Sequence, residues 1–373
     1  MLLLLAWRNL FQKKVRFAAS AGGVALALSL MLMLDAVFQG VEGQLTAYMD
    51  NSGADLFVSQ QGVKAMHMAA SWLPATLGDQ IKKVEGVSAA TPLLYLSTTL
   101  KSKDKSYAVY LFGIAPDAEM GKPWQVAEGK TVPASGETVL DRNLAANLKL
   151  KMGDNLKVLG REFKVAGLSE GTGGLISSMV FIARDDFTQL RNNLPVVSYF
   201  LVKVVPGADP QVVAARLQAS LSGTTVQTKD EFAAQERKLV KDMGADVLNI
   251  VNLIGFGIGL AVVALTTYIA IFTRRAEYGL LKALGARNSH LYRQVLSQVL
   301  VSVAIGFGVS LALTILLSFI VPLVSTNLVL AIGWAAVIKV ILVSLIIAGI
   351  AAVLPVWQLG RLDPALVFKK GGL

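Results

Sequence analysis

Methionine and histidine side chains stand together at Met66-His67-Met68, and both residue types are ligands of haem iron in proteins. Trp72 follows a few residues later and could contact a flat apolar ligand. The stretch therefore predicts a binding site for an apolar, metal-bearing molecule, with an ordinary solvent-exposed loop as the alternative. The chain has no cysteine and only one further histidine, His290. Disulfides and thiolate metal sites are thereby excluded, and we predict no resident metal site.

Two other patterns resemble enzyme motifs but lack the parts that the chemistry needs. Residues 167–171 fit G-x-S-x-G, yet glycines follow where a nucleophile elbow needs a helix, and His290 is the only later histidine. We interpret this stretch as a flexible loop. Gly129-Lys130-Thr131 resembles the end of a phosphate-binding loop, but Trp124 stands where the first glycine is required. The chain is predicted to be no enzyme by itself and to have no catalytic residues.

Polar and soft apolar side chains also stand near the ends of long uncharged runs, where they could line a path for a substrate. Asp35 is the most informative of them, although an acid at the end of a span is equally typical of a helix cap. Lys339 is expected to extend its amine to the membrane surface. With the methionine–histidine stretch, the predicted substrate-binding residues are Met31, Asp35, Phe38, Glu42, Met66, His67, Met68, Asn249 and Asn252.

The uncharged runs predict membrane helices, because a span needs about 20 apolar residues. Mean hydropathy is +0.57 and 16% of residues are charged, well below the roughly 25% of a soluble domain. The predicted spans are 17–38, 247–273, 295–321 and 332–357, with a turn near Pro322 and 325–327. The other predicted segments are an interfacial amphipathic helix at 1–16, an α/β domain at 39–246, a coupling helix at 274–294 and a tail at 358–373.

Basic residues predict the orientation of these spans. Residues 39–246 carry 22 basic and 22 acidic side chains, whereas the rest of the chain holds 13 of the 35 basic and 3 of the 25 acidic ones. Both termini and 274–294 are therefore predicted to be cytoplasmic, with 39–246 outside. The positive net charge thus reports membrane topology, and we predict no nucleic-acid partner.

Residues 39–246 show the mixed signals of an α/β domain. Alternating or β-rich runs such as Leu93–Leu100 and Ala108–Ile114 predict strands, and Pro210–Leu221 after Asp209 predicts a capped helix. Glu231–Asp246 predicts a helix that leads into the second span. Small residues at four-residue steps, Ala19, Gly23 and Ala27 together with Gly255-x-x-x-Gly259, predict close helix packing; the alternative is that glycines are simply common in membrane helices.

The segment 274–294 combines positive charge with apolar residues at helical spacing, and Gly285 stands where such a helix would end. A structured docking helix is favoured over a loop that only sets topology. The motif R-x-E-x-G-x-L-K-A-L-G-A within it resembles the loop signature of MacB/FtsX-type permeases, and the span order and large α/β insert extend the resemblance over the whole chain. The predicted ATPase-coupling residues are Arg275, Glu277, Gly279, Leu281, Lys282, Leu284 and Gly285.

This resemblance implies a fold and a function. It implies a permease subunit in the cell membrane of a prokaryote, two copies of which form a homodimer above two separate ATPase subunits that bind ATP and Mg. Compact members of the group include haem exporters, so haem is the leading expected substrate; glycolipids, peptides and antibiotics are alternatives. A non-transporting, FtsX-like permease that controls an external partner protein is the second function class that remains open.

Overall fold

The structure is a computed structural model that describes residues 14–67, 69–102, 105–325 and 327–360. These residues form two compact units. The helical unit comprises the described parts of 1–39, 244–324 and 330–373, and the α/β unit comprises those of 40–243 and 325–329. The predicted interfacial helix at 1–16 and the tail at 358–373 lie mostly outside the described residues.

The first helix, α1, is much longer than the predicted span. It runs over Lys14–Asn51 without a break, and 38 residues at 1.5 Å each extend about 57 Å, beyond the roughly 30 Å of a bilayer core. The helix therefore continues past residue 38, the predicted end of the first span. The helix continues because Val41, Leu45, Tyr48 and Met49 keep an apolar stripe at helical spacing, and all four are buried.

The α/β unit follows α1 and alternates short strands with short helices. Its elements are β1 (Leu56–Gln60), β2 (Leu73–Pro74), α2 (Leu77–Lys82), β3 (Val87–Ser102), β4 (Lys105–Ile114), β5 (Val126–Gly129), β6 (Glu137–Asp141), α3 (Arg142–Leu148), β7 (Asn155–Val158), β8 (Arg161–Ser169), β9 (Ser178–Ala183), α4 (Arg184–Leu190), β10 (Val196–Val197), β11 (Tyr199–Val204), α5 (Pro210–Ser220) and β12 (Thr224–Thr228).

Ten of these strands form one sheet. Its order is β12-β1-β11-β3-β4-β9-β6-β8-β5, with β7 paired to β8. The pairs β4–β9 and β6–β8 are parallel and the others antiparallel. The long strand β3 pairs with β11 through its first half and with β4 through its second, so it joins the two halves of the sheet. Phe163, Phe187 and Phe200 belong to the core that covers it.

Two short helices and one strand differ from the sequence-based interpretation. Helix α3 was not predicted, although Asp141 caps it by accepting hydrogen bonds from the backbone N–H groups of Asn143 and Leu144. Helix α4 was also missed, because seven residues are too few to show a helical period. The predicted flexible loop at 167–171 is wrong in its first half. Residues 167–169 belong to β8, and Ser169 is fully buried, with its hydroxyl 2.6 Å from that of Thr172.

Four further helices complete the described chain: α6 (Lys229–Phe272), α7 (Arg275–Ala283), α8 (Asn288–Val324) and α9 (Trp334–Gly360). The predicted helix at 231–246 and the predicted span at 247–273 are one continuous helix, α6. Pro322 lies inside α8, so the turn begins at Ser325 and not at the proline. Among the described residues, four helices, α1, α6, α8 and α9, have the length and composition of membrane spans. The predicted fold class, four spans and a mixed α/β domain, is confirmed.

Helix α1 is the most enclosed of the four, because its small residues let the other helices approach closely. A Cβ atom on Gly23 would collide with Val262 of α6, and one on Gly255 would meet Met31 and the Ala27 carbonyl oxygen. The two small-residue motifs of the sequence therefore pack against each other inside one chain. They carry no argument for association between two copies.

Candidate functional site

Helix α7 has one buried and one exposed face. On the buried face, Tyr278 packs with Ile271 at the end of α6 and with Leu291 and Val295 in α8, and Val356 of α9 borders the same cluster. The cluster that includes Tyr278 thus joins α7 to the ends of three spans. The helix ends at Ala283, and Gly285 has φ of 89°, the left-handed conformation in which glycine commonly ends a helix.

The exposed face of α7 is apolar at its C-terminal end. Leu280 and Leu281 are 48% and 40% exposed, and Leu284, which follows the helix, is 76% exposed. Glu277 is also exposed, whereas Gly279 is buried. Of the predicted coupling residues, Glu277, Leu281 and Leu284 therefore share a surface and Gly279 supports it from inside. Leu280 was missed, although its position four residues before Leu284 is the helical spacing that could have revealed it.

The basic residues of the coupling segment make contacts within the chain. The Lys282 Nζ atom donates a hydrogen bond to the Gly360 carbonyl oxygen at the end of α9, over 3.2 Å. A cation is favourable there because the helix dipole leaves partial negative charge at a C-terminus. The Arg275 guanidinium lies 4.8 Å from the centroid of the Phe272 ring. These two side chains anchor α7 to its own spans.

The predicted substrate residues of the helical unit are largely occupied by internal packing. The Lys339 Nζ atom lies 2.8 Å from Oδ1 of Asp35, so α1 and α9 are joined by an ion pair, and the prediction that Lys339 reaches to the surface is wrong. Met31 is buried, and its side chain covers Gly255. The Phe38 ring fills the space where a Cβ atom of Gly244 would lie. At these three described positions, each side chain already has a partner within the chain.

The remaining residues of the predicted membrane path differ from one another. Glu42 belongs to the α/β unit, where its Oε2 lies 3.6 Å from the Lys241 amine. Asn249 is exposed on α6. The Oδ1 atom of Asn252 is buried and, within the described chain, accepts no hydrogen bond.

The predicted methionine–histidine stretch is held by a buried acid. Glu236 of α6 is fully buried; its Oε1 accepts hydrogen bonds from the backbone N–H groups of Met66 and His67, and its Oε2 lies 2.8 Å from the His67 Nδ1 atom. Because a carboxylate only accepts, Nδ1 is the donor. The predicted solvent-exposed histidine is therefore wrong: the His67 side chain is 8% exposed. Met66 is buried, and Met68 lies outside the described residues.

Tyrosines surround this pair. The His67 ring lies 4.4 Å from the Tyr110 ring and 6.4 Å from that of Tyr95, centroid to centroid. Burial raises the pKa of Tyr95, and the nearby Glu236 carboxylate raises it further. The phenols thus stay neutral and form an apolar wall around the acid.

Sequence reasoning missed Glu236, although a signal existed. Phe232, Ala233, Glu236 and Val240 follow one another at three- and four-residue steps on one face of α6, and all are buried. An acid in the middle of an apolar helical stripe needs a partner inside the fold. The partner could not be identified from the sequence, because it lies 169 residues away along the chain.

A half-open cavity of about 210 Å³ adjoins His67 within the α/β unit. Its lining includes His67, Trp72, Tyr95, Ser97 and Arg191. The Arg191 guanidinium, just after the end of α4, lies 3.9 Å from the centroid of the Trp72 ring. The loop that carries Trp72 is fixed to β1, because the Gln60 backbone N–H donates to the Ser71 hydroxyl and the Gln60 side chain accepts from the Trp72 N–H. Among the described residues, no group of three or more metal-ligating side chains is present.

Comparisons with known proteins agree along the whole chain. The family model described as MacB-like periplasmic core domain matches residues 17–220, and the one described as FtsX-like permease C-terminal matches residues 249–364. An ABC transporter permease of Mycobacterium tuberculosis is 22% identical over 98% of this chain and 99% of its own length. A protein whose name assigns it to a hemin transport system, the permease HrtB of Staphylococcus haemolyticus, is 20% identical over 96% of this chain and 97% of its own. The macrolide export ATP-binding/permease protein MacB of Hyphomonas neptunium is 22% identical over 82% of this chain and 52% of its own.

Proposed function

This chain belongs to the MacB/FtsX-type ABC transporter permeases, and on that premise we propose that it is the membrane subunit of an exporter for an amphiphilic substrate, with haem as the leading case. A permease of this kind works with an ABC ATPase. We further propose that two copies of this chain form a homodimer on two separate ATPase subunits in a prokaryotic cell membrane. In this arrangement both termini and α7 are cytoplasmic, and the α/β unit is outside.

The exposed apolar face of α7 is the observation that carries the proposal. Leu280, Leu281 and Leu284 are large aliphatic side chains on a short, otherwise basic helix. Exposed apolar groups that cluster in this way mark a protein interface. The opposite face is fixed to the ends of three spans by the cluster that includes Tyr278, and to the end of α9 by Lys282. A partner that moves α7 would therefore move the spans.

Haem is supported by the residues that remain available to bind it. The Met31 side chain packs against Gly255, and the Glu42 carboxylate lies beside the Lys241 amine, so neither is available as a ligand. His67 keeps its second ring nitrogen, Nε2, and lines a cavity. A histidine that ligates a metal almost always donates its other N–H group to a carboxylate or carbonyl, as His67 does to Glu236. The resemblance to HrtB agrees with this substrate.

The proposal is tested by reconstituting the permease with its ATPase in lipid nanodiscs. In the variant Leu281→Asp/Leu284→Asp, two carboxylates would be buried in the interface, which costs several kcal/mol when no cation pairs with them. We expect this variant to insert normally but to lose co-purification with the ATPase. Val212→Asp is the matched control, because Val212 is also a half-exposed aliphatic residue on a helix, in the α/β unit.

Haemin is added to the same complexes to test the substrate. We expect it to stimulate ATP hydrolysis by the wild-type complex and by the Val212→Asp control. Co-purification that persists in the double variant would exclude docking through α7. An intact wild-type complex whose ATPase does not respond to haemin would exclude haem, and a response to a purified external partner protein would favour the signal-transmitting class instead.

A further inference from the structure

We infer that the cavity beside His67 is a ligand site in the α/β unit, which takes the anionic group and the adjoining flat apolar part of an amphiphile. In this site Arg191 binds the anion, Trp72 and Tyr95 contact the apolar part, and the Nε2 atom of His67 contacts the ligand from the cavity wall. The inference rests on the proposed export of an amphiphile, and it assigns a holding site for that substrate outside the four spans.

Arg191 is the anion-binding residue because its guanidinium is held in place by a neighbouring ring but has no acidic partner among the described residues. Its guanidinium lies against the face of Trp72, which restricts its motion. Among the described residues no carboxylate lies within ion-pair distance of it, whereas Arg161, Arg184 and Arg216 each have an acidic neighbour. Partial burial lowers the pKa of Arg191, since it weakens hydration of the cation. A ligand anion would restore the lost solvation through charge-assisted hydrogen bonds.

His67 is oriented toward a ligand by Glu236. The carboxylate accepts the Nδ1–H, so Nε2 is the ring nitrogen that is left for a ligand, and two backbone N–H groups on the same carboxylate fix the loop around the ring. A histidine used only to fill the core would not need to line an open cavity. Because the described residues hold no group of three or more metal-ligating side chains, a bare metal ion is a poor fit.

The other walls favour a flat apolar body. Tyr95 is almost fully buried under the cavity, and the Trp72 ring is 42% exposed at its side. Aromatic rings contact planar ligands with little loss of conformational freedom. The volume of about 210 Å³ is below the roughly 300–1,000 Å³ of pockets that enclose drug-sized ligands. The cavity is therefore sized for one end of an amphiphile, with the remainder outside it.

The site is tested by equilibrium dialysis of 2-naphthoate against the full-length permease in nanodiscs, with empty nanodiscs subtracted. The neutral analogue 2-naphthamide measures the contribution of the negative charge, and 2-naphthyl phosphate shows whether a phosphate serves as well as a carboxylate. We expect 2-naphthoate to bind with a measurable Kd, at least about tenfold more tightly than the amide, which corresponds to 1.4 kcal/mol.

Four variants identify the residues. Arg191→Gln should weaken 2-naphthoate binding about ten- to hundredfold and remove the preference over the amide, and Arg191→Lys should restore part of it. Arg184→Gln, at the start of the helix α4 that Arg191 follows, is the control and should bind like wild type. His67→Asn keeps a nitrogen donor near the Nδ1 position but has no Nε2, so it should weaken binding while the unfolding temperature stays unchanged.

The outcomes separate this site from the proposed export. Equal binding by wild type and Arg191→Gln, or no saturable 2-naphthoate binding by wild type, overturns the site and leaves ATPase docking and export untouched. If 2-naphthoate binding depends on Arg191 but the complex shows no stimulated ATP hydrolysis, the proposed function is overturned and the site is supported.

Discussion

The two units of this molecule bury carboxylates in different ways. In the helical unit, Asp35 is balanced by a full opposite charge, the amine of Lys339 on another span. In the α/β unit, Glu236 is balanced by two backbone N–H groups and one imidazole N–H. Both acids are at least nine-tenths buried, but the first contact joins two helices and the second fixes a loop.

The difference follows from the surroundings of each acid. Every backbone N–H in the middle of a membrane helix is already bonded to its own helix, so only another side chain can neutralise Asp35. The loop at residues 63–67 has free N–H groups, and these solvate Glu236 without a formal cation. As a result His67 keeps one nitrogen for a ligand, whereas the Asp35 carboxylate is paired with the Lys339 amine. The α/β unit thus has the better candidate for recognition.

Removing Asp35 should have the largest effect on stability. Asp35→Ala leaves the Lys339 amine without its partner, and we expect a loss of about 2–4 kcal/mol, somewhat below a fully buried pair because the lysine is partly exposed. The measurement is urea unfolding in detergent. The charge swap Asp35→Lys/Lys339→Asp should recover most of the loss. If Asp35→Ala is as stable as Glu85→Ala, whose side chain is exposed, the pair does not join the spans.

Replacing Glu236 should have a smaller effect that is confined to the α/β unit. Glu236→Gln keeps the side-chain shape but loses the charge and places an amide against one of three donors, and we expect a loss of about 1.5–3 kcal/mol. Hydrogen exchange should show faster opening at Met66 and His67, while the amides of α8 and α9 stay protected. Uniformly faster exchange in both units would contradict this local role.

The smallest of the three effects concerns helix packing without charge. Gly23→Val forces Val262 of α6 away from α1, and overpacking of this kind costs about 1–3 kcal/mol. Gly22→Val is the matched control, since a Cβ atom at Gly22 meets nothing within 4 Å. The midpoint of thermal unfolding should fall for the first variant only. Equal midpoints would mean that α1 and α6 do not pack through this face.

The sequence was most informative where a pattern is local. Charge-free runs predicted four membrane helices, and the glycine after Leu284 predicted the end of α7. It was least informative about helix length, because the apolar stripes of α1 and α6 continue across charged residues, and about α3 and α4, which are too short to show a period. Leu281, Leu284, Glu277 and Gly279 were all predicted as coupling residues, but the sequence could not show that Gly279 faces inward.

By itself, the sequence determined the class of molecule: its hydropathy requires a membrane, and its motif in 274–294 carries the family signature. The tertiary structure alone decided which charged groups are free. Asp35 meets Lys339 across 304 residues, and His67 meets Glu236 across 169, whereas the Arg191 guanidinium lies over the ring of Trp72 and has no acidic partner among the described residues. Contacts between residues so distant along the chain depend on how helices and strands pack, and no local pattern records them. The candidate ligand site therefore became visible only when the fold brought its residues together.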